Sequence, residues 1–501
     1  MSFSVLSCML LQGICAAGTM ALVHQFVVFW QKMIAFLWAL IGLCIVGYVT
    51  VQFSLHAGLQ MVEKLPWIPS MNIFYHIGVD GISLVLVNLT VGIVFLGVIS
   101  LCVMETVLIA QACQWIFFVQ TALVGAFIAQ DSMLFYVFWE ASLLPMLFYI
   151  GQLGSSKRQH AAIKYGVFTI CGSLFFLLSI LYLGMLAGEF SLQAFAQVPL
   201  NLVQQKVLFW AFTLAFAIKI PMFPLHTWLP DAHTQASTVG SMLLAAVLLK
   251  LGGYGFLRFN LPVTPDAALQ FAPLMVMLSV IAILYIGLVT FAQRDIKRLI
   301  AYASIAHMGM CTLGIFLIYL IQPSTLQVPI QLLGLQGVVV HMLGHGISAA
   351  GLFLVFGMLY QRVGSRALSE YSGLLVVMPK LGGFFLLFAL SNIGFPGTIG
   401  FVGEFLILIA SASAQFWIAA SAVLTLLISA AYTMPLLKNI FYGRIHATQL
   451  MTLDDIQLSE CVPLLLFVIL ILGLGIFPSI LTTLIEPSLA QLLALATTSK
   501  L

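Results

Sequence analysis

The sequence predicts an all-α, polytopic membrane protein of about 14 transmembrane helices, and three observations carry this prediction. Of the 501 residues, 62% are apolar and only 7% are charged, whereas a soluble protein carries roughly 25% charged residues. The mean hydropathy is +1.15. Long apolar runs recur along the whole chain, and the short alternating segments typical of a membrane barrel are absent from the sequence.

The apolar runs define the predicted helices, because a hydrocarbon core of about 30 Å needs roughly 20 apolar residues per helix. Charges, prolines and Gly/Ser clusters separate one run from the next. The first run is interpreted as an uncleaved span, since no cationic segment precedes it. The predicted spans are 3–22, 34–54, 81–104, 107–129, 133–151, 162–187, 206–226, 239–259, 270–292, 299–320, 329–359, 377–411, 416–441 and 462–485.

Lysines and arginines are sorted between alternate loops. Twelve of the 18 fall in loops after odd-numbered helices, and three fall in loops after even-numbered helices. The positive-inside rule then assigns the odd-numbered loops to the cytoplasm. Both termini are therefore predicted to face outward.

The remaining composition excludes several classes of function. A net charge of +3 without a basic block does not indicate binding of nucleic acid. The eight cysteines form no CxxC pair, which excludes the usual spacings for iron–sulfur clusters, structural zinc and covalent haem. No GxGxxG or Walker-type loop is present. We therefore expect no cofactor and no metal in this chain.

Four charged side chains lie inside apolar runs and are the candidate functional residues: Glu140, Lys219, Lys250 and Glu404. An ionisable group at mid-membrane costs about 2.5–3.5 kcal/mol on insertion scales, and a proton or ion pathway is the usual reason to retain one. A nearby carboxylate controls how tightly a buried lysine holds its proton. Glu140 and Lys219 are therefore predicted to form a coupled pair, and Lys250 is predicted to be the next group in the proton path. The alternative is a purely structural ion pair between helices.

Two of these charges lie beside residues that break helices. Pro221 and Pro224 follow Lys219, and proline removes a backbone donor and clashes with the preceding turn. Pro396 and Gly397 precede Glu404 in the same manner. An interrupted helix in each half of a membrane chain is typical of an inverted repeat whose ion site lies at the breaks.

Histidines inside the predicted spans supply possible steps between the charges, since a neutral imidazole both accepts and donates a proton. They are His307, His341 and His345. The last two are four residues apart and share a helix face. This spacing also suits a metal, but no third ligand with suitable spacing is evident. A packing role remains the alternative. His226 and His233 lie in a connection on the cytoplasmic side, where the sequence favours a turn-stabilising role at least as strongly as a relay role.

Several long motifs together resemble one family of membrane proteins. They are FYHIGVDGISL (74–84), FWEASLLPM (138–146), KIPMFPLHTWLPDAHTQASTVGSMLLAAVLLKLGGYGFLRF (219–259), AQRDIKRLIAYASIAHMG (292–309), HMLGHGISAAGLF (341–353) and SNIGFPGTIGFVGEF (391–405). The resemblance is to the antiporter-like M subunits (mitochondrial subunit four) of proton-pumping NADH:quinone oxidoreductase, respiratory complex I, and extends over residues 72–445.

This resemblance implies two inverted five-helix repeats, with the seventh and twelfth helices broken. The implied divisions are 1–106 for helices 1–3, 107–260 for helices 4–8, 270–442 for helices 9–13, and 460–501 for helix 14. It also implies roles for individual residues. Glu140 would modulate the pump, Lys219 would be its partner, Lys250 would link two half-channels, and Glu404 would be the terminal carboxylate. The three histidines would belong to the same polar axis.

NADH, FMN, iron–sulfur clusters and quinone are implied in partner subunits only. The implied partners are other complex I membrane subunits, including the L- and N-type antiporter-like subunits, and the lipid bilayer. A bacterial inner membrane is expected, with a mitochondrial inner membrane as the alternative.

Four positions distinguish this chain within the resemblance. Ser237 stands where the family usually has proline, and Ala303 stands where a serine is common. Related L-type subunits and sodium/proton antiporters tend to carry lysine where Ala349 and Glu404 stand, so Glu404 favours the M type. A subunit of a multi-subunit sodium/proton antiporter and a non-conducting spacer remain the alternative functions.

Overall fold

The computed structural model describes residues 4–55, 58–104, 108–321, 328–444 and 451–501. Within these residues, fourteen helices are long and apolar enough to cross a membrane, which confirms the predicted polytopic all-α class. They are Val5–Leu22, Val28–Gln52, Gly81–Val103, Ile109–Ile128, Ser132–Leu153, Arg158–Ala187, Leu202–Lys219, Thr238–Val263, Pro265–Phe291, Ile296–Leu317, Val328–Val363, Phe416–Phe441, Leu458–Ile476 and Ser479–Thr497.

Two predicted spans are interrupted. The seventh ends at Lys219, and after a turn the chain resumes as the short helix Trp228–Gln235; we refer to these two pieces as the first broken helix. The twelfth consists of Pro379–Ile393 and Ile399–Ala414, which we refer to as the second broken helix. Between its halves Gly394 has a positive φ of 81°, a conformation that glycine adopts without steric cost.

The end of the chain differs from the sequence prediction. The single span expected at 462–485 is two helices, because the first ends at Ile476 and the next begins at Ser479, after Pro478. Ser488 Oγ in the last helix accepts a hydrogen bond from Gly81 N at 3.0 Å. The last helix therefore packs against the start of the helix that begins at Gly81.

A β-hairpin that the hydropathy pattern does not predict precedes that helix. Strands Gln60–Ile68 and Ile73–Val79 pair antiparallel, and Asn72 makes the turn with a φ of 52°. Asp131 Oδ2 accepts a hydrogen bond from Phe74 N at 3.1 Å. The same carboxylate caps the helix that begins at Ser132, so the hairpin is fixed to the helix that carries Glu140.

A partly buried ion pair joins the hairpin end of the molecule to the eighth helix. Arg258 Nη2 lies 2.5 Å from both carboxylate oxygens of Asp80, and Asp80 also caps the helix that follows it by accepting from Ser83 N at 2.9 Å. Burial raises the pKa of the Asp80 carboxyl, but Arg258 and the Ser83 N–H together hold it below its usual range.

Three helices are enclosed by the others along almost their whole length. They are Thr238–Val263, which we call the central helix, Ile296–Leu317, and Val328–Val363, which we call the long helix. Two π-helical segments, Leu244–Leu248 and Phe256–Asn260, interrupt the central helix. Because the enclosed helices carry Lys250 and the three candidate histidines, the polar side chains lie inside the protein and away from lipid.

Candidate functional site

Lys219 is the last residue of the first half of the first broken helix. Its side chain is buried, with the residue only 1% exposed, and Nζ donates to Ser142 Oγ at 3.4 Å. Nζ also lies 5.2 Å from the ring centroid of Trp139. Trp228 Nε1 donates to the Ile218 carbonyl at 2.9 Å, so the next helix satisfies a backbone group that the break at Pro221 and Pro224 leaves free. The break therefore places a cation at a helix C-terminus, where carbonyl dipoles favour it.

Glu140 lies near Lys219 but does not contact it directly. Within the described residues no ion pair joins the two side chains, and Glu140 Oε1 has no hydrogen-bond partner. Ser142, two residues after Glu140, interrupts its helix and contacts the lysine instead. The predicted coupling of the pair stays a prediction, and Ser142 is a contact that the sequence did not indicate.

Lys250 lies in the central helix between the two π-helical segments and is fully buried. Nζ donates to the Ala245 carbonyl at 2.6 Å and lies 2.8 Å from His345 Nδ1. Ala245 belongs to a π-helical segment, in which backbone hydrogen bonds shift from the four-residue to the five-residue register. Because an ammonium group only donates, a charged Lys250 requires His345 to accept at Nδ1 and to carry its hydrogen on Nε2.

His307, His341 and Glu404 form the next cluster, and the residues are almost completely buried. His307 Nδ1 lies 3.1 Å from Glu404 Oε1. His341 Nε2 lies 3.1 Å from the His307 carbonyl, and since a carbonyl only accepts, this nitrogen carries the hydrogen. His341 Nδ1 then presents a lone pair 4.0 Å from Glu404 Oε1. The His307 ring centroid is 5.4 Å from that of His345, so this cluster continues the one at Lys250.

Glu404 reaches the histidines because the second broken helix packs closely on the long helix. It lies in the second half, after the break that contains Pro396 and Gly397. A side chain on the neighbouring Gly403 would place its Cβ 2.4 Å from His341 N, a distance that requires the backbones to separate. The glycine at 403 therefore allows Glu404 to reach the histidine cluster.

The structure thus brings five of the predicted residues into one chain of contacts: Lys250, His345, His307, His341 and Glu404. We call this chain the polar axis. Lys219 and Glu140 form a separate cluster. The helix that ends at Lys219 packs closely on the central helix, since a Cβ at Gly252 would lie 2.6 Å from Ile220 N.

The cluster at Glu404 also has the geometry of a metal site. One ligand atom from each of His307, His341 and Glu404 lies within 4.8 Å of the others. The sequence spacing showed no third ligand because Glu404 is distant in the chain. The same donors also suit proton transfer, because each of them can gain and lose a hydrogen.

Comparisons with known proteins agree with the fold. The family model described as "NADH:quinone oxidoreductase/Mrp antiporter, TM" matches residues 129–429. The protein named NADH-quinone oxidoreductase subunit M from Rickettsia prowazekii is 39% identical over 449 residues, which is 89% of each chain.

Two solved structures share the fold. A chain of respiratory complex I from Thermus thermophilus with bound NADH matches with a TM-score of 0.85 and 30% identity, covering 97% of this chain and 99% of that one. A chain of the Mrp complex from Dietzia sp. DQ12-45-1b matches with a TM-score of 0.81 and 20% identity, covering 99% of this chain and 52% of that one. The chain belongs to the NADH:quinone oxidoreductase/Mrp antiporter transmembrane family.

Proposed function

We propose that this chain is the M-type, proton-translocating membrane subunit of an NADH:quinone oxidoreductase and that protons pass along the polar axis. The observation that carries the proposal is the series of buried contacts from Lys250 through His345 and His307 to Glu404. Lys250 and the two histidines lie on helices enclosed by protein, and Glu404 is itself buried. Retaining ionisable side chains in such places is costly unless they have a function.

Each member of the polar axis can exchange a hydrogen with its neighbour. Lys250 and His345 are within hydrogen-bonding distance at 2.8 Å, as are His307 and Glu404 at 3.1 Å. An imidazole takes a proton on one nitrogen and releases one from the other. His345 Nε2 and His307 Nε2 have no hydrogen-bond partner among the described residues, which leaves both rings free to make this exchange.

The cluster of Glu140 and Lys219 is proposed to drive the transfer. Oxidation of NADH and reduction of quinone, with FMN and iron–sulfur clusters, belong to partner subunits in this proposal. Moving one charge against 100 mV costs about 2.3 kcal/mol. A change of two pKa units is worth about 2.7 kcal/mol. A shift of this size in the interaction between Glu140 and Lys219 is therefore sufficient for one proton.

A subunit of a sodium/proton antiporter is the alternative from the transporter class. Glu404 and Ala349 favour the oxidoreductase, because antiporter subunits tend to carry lysine at those positions. The higher identity to the complex I chain than to the Mrp chain also supports the oxidoreductase. Within this proposal the chain lies in a bacterial inner membrane with both termini outward, and residues 107–260 and 270–442 are the two inverted repeats.

Replacing Lys219 with alanine in the assembled oxidoreductase tests the proposal. We expect NADH-driven proton pumping in inside-out vesicles to fall strongly at equal amounts of assembled complex. Lys206→Ala is the matched control, because it removes a partly exposed lysine from the start of the same helix. Native pumping and native turnover in Lys219→Ala would contradict the pump and favour the spacer.

A further inference from the structure

Two aromatic rings face the ammonium group of Lys219. Nζ lies over the ring of Trp139 at 5.2 Å from its centroid and over the ring of Tyr165 at 5.8 Å from its centroid. A cation within about 6 Å of a ring centroid is attracted by the electron-rich face of the ring. Among the described residues, Lys219 is the only cation that lies over two rings.

The two rings come from different helices and are enclosed by protein. Trp139 lies in the helix Ser132–Leu153, and Tyr165 lies in the helix Arg158–Ala187. Both side chains are buried, as is Lys219. The attraction between a cation and a ring is stronger where water does not compete for the cation. Burial of all three side chains therefore strengthens the contact.

Other aromatic side chains hold the two rings in place. The ring centroids of Phe176 and Phe216 lie 5.8 and 5.6 Å from that of Trp139. Trp228, in the second half of the first broken helix, packs on Tyr165 at a centroid distance of 5.2 Å. The orientation of the rings is thus set by their own packing and does not depend on the lysine.

Hydrogen bonding alone does not account for a buried ammonium group at this position. Ser142 Oγ donates to the Trp139 carbonyl at 2.7 Å and accepts from Lys219 Nζ at 3.4 Å. The second distance is longer than the usual range of about 2.7–3.2 Å. An ammonium group has three hydrogens to donate, and a buried charge without partners is costly. The two ring faces supply the compensation that this single long hydrogen bond does not.

The faces of the rings, and not their polar groups, contact the lysine. Trp139 Nε1 and the Tyr165 hydroxyl have no hydrogen-bond partner among the described residues. An indole N–H only donates and so cannot bind an ammonium group, whereas a phenol oxygen is able to accept from one. Since the Tyr165 hydroxyl does not accept from Lys219, Tyr165 acts on the lysine through its ring.

We propose that Trp139 and Tyr165 form an aromatic cage that stabilises the charged form of Lys219 while its ammonium group exchanges Ser142 for Glu140 as hydrogen-bond partner. A ring face attracts the ammonium group as a whole, whereas a hydrogen bond requires one aligned N–H. The lysine therefore stays charged as it turns. This inference rests on the proposed function, because it names the residues that position Lys219 for its interaction with Glu140.

Fluorination of Trp139 tests the aromatic cage in the assembled oxidoreductase. Each fluorine withdraws electrons from the face of the indole ring and changes its size little, so a series from Trp139→monofluorotryptophan to Trp139→tetrafluorotryptophan weakens the attraction in steps. We expect NADH-driven proton pumping per assembled complex to fall with every added fluorine. It should be about tenfold slower with four fluorines, which corresponds to about 1.4 kcal/mol. A ring that only fills space would show no such trend.

The same series at Trp210 is the matched control. Trp210 lies on the helix that ends at Lys219 and is 38% exposed. Among the described residues no cation lies over its ring, so pumping should stay native throughout this series. An unchanged rate across the Trp139 series, or the same decline in both series, overturns the inference.

Two variants of Tyr165 separate the ring from its hydroxyl group. Tyr165→Phe keeps the ring face and should pump at a near-native rate, whereas Tyr165→Leu removes the ring and should pump at least about threefold more slowly. Native pumping in Tyr165→Leu, or an equal loss in both variants, overturns the assignment of Tyr165 to the aromatic cage. If Tyr165→Leu does not assemble, the Trp139 series decides the inference, because it preserves the shape of the ring.

Lys219→Ala distinguishes this inference from the proposed function. Native pumping in Lys219→Ala means that the proposed function fails, and the aromatic cage with it. Loss of pumping in Lys219→Ala, together with native pumping throughout the Trp139 series, means that the aromatic cage alone fails.

Discussion

Replacing Glu404 with aspartate tests whether direct contact with His307 carries the proton. Glu404 Oε1 lies 3.1 Å from His307 Nδ1. Aspartate keeps the carboxylate but lacks one methylene, which withdraws the oxygens by about 1.5 Å. The two atoms would then be up to about 4.6 Å apart, whereas direct proton transfer needs roughly 2.6–3.2 Å.

We expect Glu404→Asp to pump about 100-fold more slowly, at the lower end of the roughly 10²–10⁴-fold contribution of a positioned proton-transfer group. Glu404→Gln keeps the length but cannot take up the proton, so it should pump no faster than the aspartate variant. The assay is NADH-driven dye quenching in inside-out vesicles. Pumping is normalised to assembled complex through NADH oxidation by an artificial electron acceptor.

Glu486→Asp is the matched control. Glu486 is exposed on the last helix, so this substitution makes the same chemical change away from the polar axis. Native pumping in Glu404→Asp would refute the requirement for contact with His307. Native pumping in Glu404→Gln would refute Glu404 as a proton carrier. Loss in the glutamine variant alone would leave the carboxyl group essential and its distance unimportant.

Two further predictions concern stability. Asp80→Asn should destabilise the subunit by about 1.5–3 kcal/mol in detergent unfolding, since it leaves the partly buried Arg258 without its counter-ion; a milder loss in Asp80→Leu with Arg258→Met would show that the unpaired charge is the cause. The pKa of Asp80 in the folded state lies below its unfolded value of about 3.9. The stabilisation that Asp80 gives to the folded state is therefore complete above about pH 3.9 and is lost as the pH falls through the folded pKa. Loss of this stabilisation between pH 5 and 7 would contradict the ion pair of Asp80 with Arg258 as its source. Ser237 caps the central helix by accepting from Gly240 N at 3.3 Å, so Ser237→Ala should cost about 1 kcal/mol, whereas Ser237→Thr, which keeps a hydroxyl acceptor, should be nearly neutral; equal losses in both variants would contradict the cap as the cause.

The sequence predicts those features that depend on neighbouring residues. Apolar runs determine the spans, and prolines determine the break after Lys219, because both effects act over one or two helical turns. The β-hairpin at 60–79 was missed because a search for long apolar runs is insensitive to short strands. The π-helical segment before Lys250 was missed because nothing in its apolar composition differs from an ordinary buried helix.

The contacts that build the polar axis could not be predicted, because they join distant parts of the chain. Lys250 meets His345 across 95 residues, and His307 meets Glu404 across 97 residues. Their position inside apolar runs correctly indicated burial for Lys219, Lys250, Glu404 and the three histidines, whereas Glu140 is only partly buried. Their order, and the position of Glu404 as a possible third metal ligand, required the packing of the second broken helix on the long helix.

The side chains of the two clusters are held with different strength, and this difference indicates which cluster controls the other. Lys250 is fixed by contacts of 2.6 and 2.8 Å on an enclosed helix. Lys219 ends a helix and, among the described residues, makes one side-chain hydrogen bond of 3.4 Å and no direct bond to Glu140. A weakly held side chain changes its hydrogen-bond partner at lower free-energy cost. We therefore expect a partner subunit to move charge at the first broken helix, while the side chains of the polar axis keep their positions. A crosslink that holds the Lys219 side chain in one position should then abolish proton pumping, even though every residue of the polar axis is unchanged.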